Sequence, residues 1–259
     1  DLTAIKNNLN VIQSKLNGKT KILAIVKADA YGLGAVAVSR HISETVWAFG
    51  VATLEEAIEL RENNIRKQII MLSPFCENEI DNIINNKITP TIVDFKRAEI
   101  LSKYARKNNA TVNVHIKIDT GMGRLGNYYD CCLEEIEKIN NLENINIEGI
   151  FSHFPSADLL DDDFCNLQIE RFDSVIEKLS AKGIDIPVKH LANSSATVAY
   201  PLSHKDAVRP GLLMYGAYPS RSIQEIVNVT PSVSFIAKII FIKTVKEGEG
   251  VSYGRTFIS

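Results

Sequence analysis

The chain of 259 residues is 45% hydrophobic and 23% charged, enough for one large α/β domain plus a piece of another. A formal net charge of -2 gives no electrostatic reason to expect nucleic acid or an anionic membrane as a partner. No apolar run is long enough to span a bilayer, and the first residues, AspLeuThrAlaIleLysAsnAsnLeu, read as an amphipathic helix and not as a signal peptide. Cys76, Cys131, Cys132 and Cys165 lack any paired metal spacing, so no metal site is expected. We read them as reduced thiols, which points to a cytoplasmic location.

Short apolar runs then alternate with helical patterns along most of the chain. Strands are expected over 21–27, 47–53, 68–73, 88–94, 111–119, 145–152, 187–192 and 207–213. Charged segments with apolar residues at helical spacing lie between them, at 54–63, 94–107 and 168–179. Repeated βα units imply a parallel sheet, and eight of them imply a (β/α)8 TIM barrel over 1–226. A doubly wound open sheet is the alternative. After 226 the pattern changes to a pair of alternating β-runs over 227–246, then a turn and a further strand over 247–257. We read 227–259 as the beginning of an incomplete all-β domain.

A barrel predicts that chemistry collects at the C-terminal ends of its strands. Lys27 closes the first run and opens into a turn punctuated by glycine; burial among apolar neighbours would leave its amine unprotonated and nucleophilic. Lys117 and Asp119 end the fifth strand, His153 follows the sixth, Asn193 and Ser194 follow the seventh, and Arg209 lies in the eighth. The opposite strand ends carry little of note. Taken singly, Lys27 is a solvated strand end and His153 a satisfied structural histidine; the shared location favours a site instead.

Six motifs, ValLysAlaAspAlaTyrGlyLeuGly, LysIleAspThrGlyMetGlyArgLeuGly, SerHisPhe, HisLeuAlaAsnSerSerAla, ValArgProGlyLeuLeuMetTyrGly and GlyValSerTyrGlyArgThr, resemble bacterial alanine racemase in content and order. The resemblance runs from the first residue to the last and implies a fold-type III barrel that binds pyridoxal 5'-phosphate. It further implies that Lys27 forms the Schiff base and is one of two proton-transfer bases. Tyr253, supplied by the partner subunit of a homodimer, would be the other. By the same resemblance Arg209 holds the pyridine nitrogen, with His153 and His190 on either side. Arg124 and the amide of Met122 bind the substrate carboxylate. Tyr31, Asn193, Ser194, Gly211 and Leu212 serve the cofactor and its phosphate. Lys117 matches a lysine that is often carbamylated, although a lysine paired with a carboxylate such as Asp119 is the rival reading.

The implied reaction is interconversion of L- and D-alanine for peptidoglycan. A serine or broad-specificity racemase and a non-catalytic PLP-binding barrel are the alternatives. The family's second domain and its preceding strand are expected to extend beyond this chain, so we expect cofactor binding with weak or no turnover, and a monomer or a weakened dimer.

Overall fold

The computed structural model describes residues 1–160 and 162–259. The expected strands form, each inside its predicted range: β1 (Lys21–Ile25), β2 (Ala48–Val51), β3 (Gln68–Met71), β4 (Thr89–Ile92) and β5 (Val112–Asp119). A short β6 (Asn127–Tyr128) is followed by β7 (Ile145–Phe151), β8 (Val188–His190) and β9 (Ala207–Val208). Parallel pairing runs from β4 through β3, β2, β1, β9, β8 and β7 to β5, and β4 pairs with β5 to close the ring. The result is a closed eight-stranded barrel, and the open-sheet alternative is excluded. β6 lies outside the ring, beside the end of β5.

Helices cover the outside because their apolar stripes need the strands' outer residues. Leu54–Glu62, for example, starts on a capping box in which Thr53 and Glu56 satisfy each other's backbone amides, and it buries Leu54, Ala57 and Leu60. Phe95–Lys107 is capped by Asp94 and buries Ala98, Leu101 and Ala105. On β5 the alternation sends Val112, Val114, Ile116 and Ile118 into this outer core, while His115, Lys117 and Asp119 share the opposite, inward face. A smaller cluster of Leu23, Ile25, Ala48 and Ile70 occupies the interior on the β1–β3 side.

The N-terminal helix (Leu2–Ser14) forms as expected and packs beneath the turn at Leu212–Tyr215. Asn8 clamps both this turn and the tail, donating to the carbonyls of Met214 (3.2 Å) and Thr230 (2.8 Å). Val227, Val229 and Ser232 are consequently buried against the barrel. Beyond them the structure departs from expectation. Residues 227–246 contain no strand, because no other chain segment among the described residues lies alongside to take their backbone hydrogen bonds. Phe235 is 97% exposed, and Ile240 and Phe241 also face solvent. Only Gly250–Val251 and Phe257–Ile258 pair, as a short antiparallel hairpin. Among the described residues no helix is long and apolar enough to cross a membrane.

Candidate active site

At the C-terminal mouth of the barrel lies a cavity of about 630 Å³. Lys27, Lys117, Met122, Arg124, His153 and Arg209 line it, as do Tyr31, Asn193, Ser194, Gly211 and Leu212. The strand ends expected to carry chemistry therefore meet in one place.

Lys27 is set there by an unusual backbone. The strand stops at Ile25, not at Lys27, and Ala28, Asp29, Ala30 and Tyr31 all adopt left-handed φ values between 51° and 58°. Each such non-glycine residue costs about 1–2 kcal/mol, so the turn forms only because its surroundings hold it. Glu56 accepts from the amide of Ala28 at 2.8 Å, and Asp29 accepts from the amide of Ala35 at 2.6 Å. Contrary to the sequence reading, Lys27 is exposed at the mouth. The buried lysine is Lys117. Its Nζ lies 4.8 Å from the centre of the Phe151 ring and has no hydrogen-bond partner among the described residues. Burial, with the Arg209 and Arg124 charges adding to it, pushes this amine well below the usual lysine range. The expected rival, a Lys117–carboxylate pair, is not formed: Asp119 instead accepts from the amide of Gly121 at 2.8 Å.

The loop 120–126 returns directly over Lys117. At Gly126 (φ +93°) a Cβ would stand 2.4 Å from the Lys117 carbonyl oxygen, so only glycine permits this approach. The return lets β6 pair with Ile118 and Asp119, and it brings Arg124 to the cavity wall.

Arg209 is fully enclosed. Its Nη1 donates to the His190 carbonyl (2.9 Å) and contacts His190 Nδ1 (3.0 Å). Nη2 donates to the carbonyls of Ser152 (2.7 Å) and Leu191 (3.0 Å) and contacts His153 Nδ1 (3.2 Å). A guanidinium has no acceptor, so His190 Nδ1 takes the second Nη1 proton as an unprotonated nitrogen. His153 Nδ1 faces an Nη2 whose two protons already serve two carbonyls, and it is left unprotonated because an N–H there would oppose a donor. Each histidine then carries its proton on Nε2. Burial first, and the Arg209 charge second, hold both well below the ordinary histidine range, so they are neutral at pH 7. Burial alone lowers Arg209 to about 9, still cationic at neutral pH.

Ser194 Oγ accepts from the amide of Gly211 at 2.8 Å, so that expected phosphate donor is already engaged and the serine hydroxyl proton is free to point elsewhere. Asn193 caps the short Ser194–Ala199 helix by accepting from Ala196 at 3.0 Å. Tyr31 lies against Gly211, where a Cβ would sit 2.6 Å from its hydroxyl. Tyr253 does not join its own chain's cavity; it is 99% exposed on the turn between the two hairpin strands.

The alanine racemase N-terminal domain family matches residues 1–219. An alanine racemase of Methanococcus maripaludis is 40% identical over 260 residues, covering 99% of this chain and 70% of that one. The chain belongs to the alanine racemase family. Alanine racemase 2 of Caldanaerobacter subterraneus is 38% identical over 261 residues, covering 100% of this racemase chain and 67% of its own. The solved alanine racemase of Clostridium difficile 630 superposes with a TM-score of 0.92 at 34% identity, covering 99% of this chain and 68% of that one. Family membership makes the protein an isomerase.

Two residues of the interior escaped the sequence reading. His115 and Glu148 sit mid-strand on β5 and β7, behind His190, where the opposite strand ends were expected to be bland. The signal in the sequence is a polar residue within an apolar run, His115 two residues before Lys117.

Proposed function

We propose that this racemase interconverts L- and D-alanine with pyridoxal 5'-phosphate, in the cytoplasm, as a source of D-alanine for peptidoglycan. The carrying observation is the convergence of Lys27, Arg124, His153 and Arg209 on one cavity of about 630 Å³, a volume suited to a cofactor with a small substrate. The residues fit the cofactor. Gly211 leaves room beside Tyr31 that any side chain would fill, and the fully buried Arg209 can offer only protons to a ring nitrogen. Tyr31, Asn193, Ser194, Gly211 and Leu212 would hold it on one side, Lys27, His153 and Arg209 on the other. When bound, the cofactor supplies an aldehyde for amines and a ring that withdraws electrons from Cα.

The chain's own residues supply the rest. Inversion at Cα needs one group to take the proton from one face and another to return it to the other face. Lys27 Nζ serves the first face. Tyr253 Oη from a second copy of the chain serves the second, and the exposure of Tyr253 outside its own cavity supports that reading. His153, neutral with Nε2–H directed away from Arg209, is the donor that would stabilise a phenolate there. Arg124 binds the substrate carboxylate through its fork of donors, with the Met122 amide beside it. Residues 1–226 form the catalytic barrel in this proposal, and 227–259 begin the domain that carries Tyr253.

Lys117 takes up carbon dioxide as a carbamate: the neutral amine adds to the carbon and releases one proton, leaving an anion to orient Arg124. Its burial without a hydrogen-bond partner supports this. Carbon-13 NMR in labelled bicarbonate is expected to give a carbamate signal that Lys117→Met removes; a signal that survives this change rejects the assignment. For the main reading, the protein is mixed with the cofactor, reduced with borohydride and mapped by mass spectrometry. The added mass is expected on Lys27 and absent in Lys27→Ala. Finding it on Lys117, or nowhere, overturns the proposal. Incorporation of solvent deuterium at Cα of both alanine enantiomers by the dimer, lost in Tyr253→Phe for one of them, tests the second base.

A further inference from the structure

Behind Arg209 a line of polar groups continues down the barrel axis to its far end. His190 Nε2 lies 2.8 Å from His115 Nδ1, and His115 Nε2 lies 3.5 Å from Glu148 Oε2. Glu148 also receives the side-chain amide of Gln68. His115 and His190 are fully buried, while Glu148 is the half-buried end of the line.

The backbone is arranged to make this line possible. Along β5 and β7 the register pairs Val114 with Ile147 and then His115 with Gly149, which leaves Glu148 as an extra residue in a bulge. A bulge breaks strict alternation and can aim a side chain to the face it would otherwise avoid. Here Glu148 reaches the interior although Gly149 and Phe151 already face His115 and Lys117. Gly149 is the second device: a Cβ there would stand 2.4 Å from the His115 ring. The ring can occupy the axis only because that position has no side chain.

Direction follows from the donors. Arg209 can only donate, so His190 accepts at Nδ1 and carries its proton on Nε2. That proton is given to His115 Nδ1, so the His115 proton is on Nε2 and faces Glu148. The last contact, at 3.5 Å, is an electrostatic approach of N–H to carboxylate and not a formed hydrogen bond. His115 Nε2 is buried without a hydrogen-bond partner among the described residues, and the Glu148 carboxylate is the acceptor group it faces. Without Glu148, a buried N–H would face no acceptor at all, which a low-dielectric interior penalises.

We propose that Glu148 is a positioning residue for Arg209, terminating a one-directional chain through His115 and His190 that fixes the tautomer of both rings and the orientation of the guanidinium at the cavity. This rests on the racemase reading only for what Arg209 does there; the chain itself exists in the protein without cofactor. A residue that merely filled the barrel floor would influence stability and leave ring tautomers and proton exchange alone.

The test is nitrogen-15 NMR of histidine-labelled, cofactor-free protein, with two-bond correlations to assign each ring. Wild type is expected to show His190 and His115 both neutral and both protonated on Nε2. His115 protonated on Nδ1 overturns the proposal, whatever any variant does. Glu148→Leu removes the acceptor: the His190 Nε2 proton is expected to exchange with solvent about tenfold faster, and the His115 signals to lose their single-tautomer pattern. Glu148→Gln keeps an acceptor oxygen and is expected to restore both. Unchanged exchange and shifts in a folded Glu148→Leu protein also overturn it. If the tautomers hold while the cofactor fails to attach at Lys27, the racemase reading falls and the positioning chain stands.

Discussion

The two halves of the barrel interior are built on different physics. On the β1–β3 side the inward residues Leu23, Ile25, Ala48 and Ile70 form an apolar cluster in ordinary van der Waals contact. On the β5–β9 side the same positions hold His115, Lys117, Asp119, His190 and Arg209, all buried. The apolar half tolerates small errors, because dispersion and burial are non-directional. The polar half is less tolerant, because its hydrogen bonds are directional and unpaired buried groups are costly, and it already carries two such donors, Lys117 Nζ and His115 Nε2. The candidate site thus lies in the half of the interior that is costliest to maintain.

That contrast can be broken most strongly with acid. Burial holds His115, His153 and His190 below the usual histidine value, so the unfolded chain binds protons that the folded one refuses. The stability these rings contribute is complete above their unfolded value of about 6.5 and is lost as pH falls beneath it. The slope approaches at most about 1.4 kcal/mol per pH unit for each ring once the pH is well below 6.5, so stability is expected to fall progressively and more steeply from pH 7 to 5. Urea midpoints from pH 7 to 5 measure it, and a flat profile would contradict the neutral-ring assignment. On the apolar side, Ile70→Ala leaves a cavity in a fully packed site and is expected to cost about 2–5 kcal/mol at every pH in that range. Equal pH dependence in this variant and the parent is the signature of independent halves. Gly149→Ala strikes the polar half sterically; pressing a methyl group onto the His115 ring is expected to cost about 1–3 kcal/mol in the same urea series.

The two halves were also unequally legible. Apolar runs at regular spacing placed all eight barrel strands, and residues at their C-terminal ends, Lys27, His153 and Arg209 among them, do line one cavity. Period and end position are local properties, and sequence carries them. The Glu148 bulge is a relation between two strands, and nothing in ValHisIle or IleGluGlyIle announces that they will meet out of register. Lys27 and Lys117 show the same limit: both sit at the end of a strand run, yet which one is buried depends on the left-handed turn at 28–31 and the return of loop 120–126. The alternating run at 227–246 misled in the other direction. Alternation shows that a segment can pair, and a strand forms only where a neighbour accepts its hydrogen bonds.

The seam between the halves offers the finest test. Thr91 on β4 stands beside His115 of β5 in the strand register, and its hydroxyl donates to the carbonyl of Met71 on β3 at 2.7 Å. It is wholly buried, so the hydroxyl contributes one hydrogen bond and pays no side-chain exposure in return. Thr91→Val keeps the β-branched shape and exchanges the hydroxyl, with its hydrogen bond to Met71, for a methyl group. If the seam obeys polar rules, the loss is about 1 kcal/mol, read as a lower urea midpoint with an unchanged slope. If it obeys apolar rules, exchanging a hydroxyl for a methyl group among buried neighbours leaves stability level or raises it. The sign of that single difference locates the boundary between the two kinds of interior to within one strand.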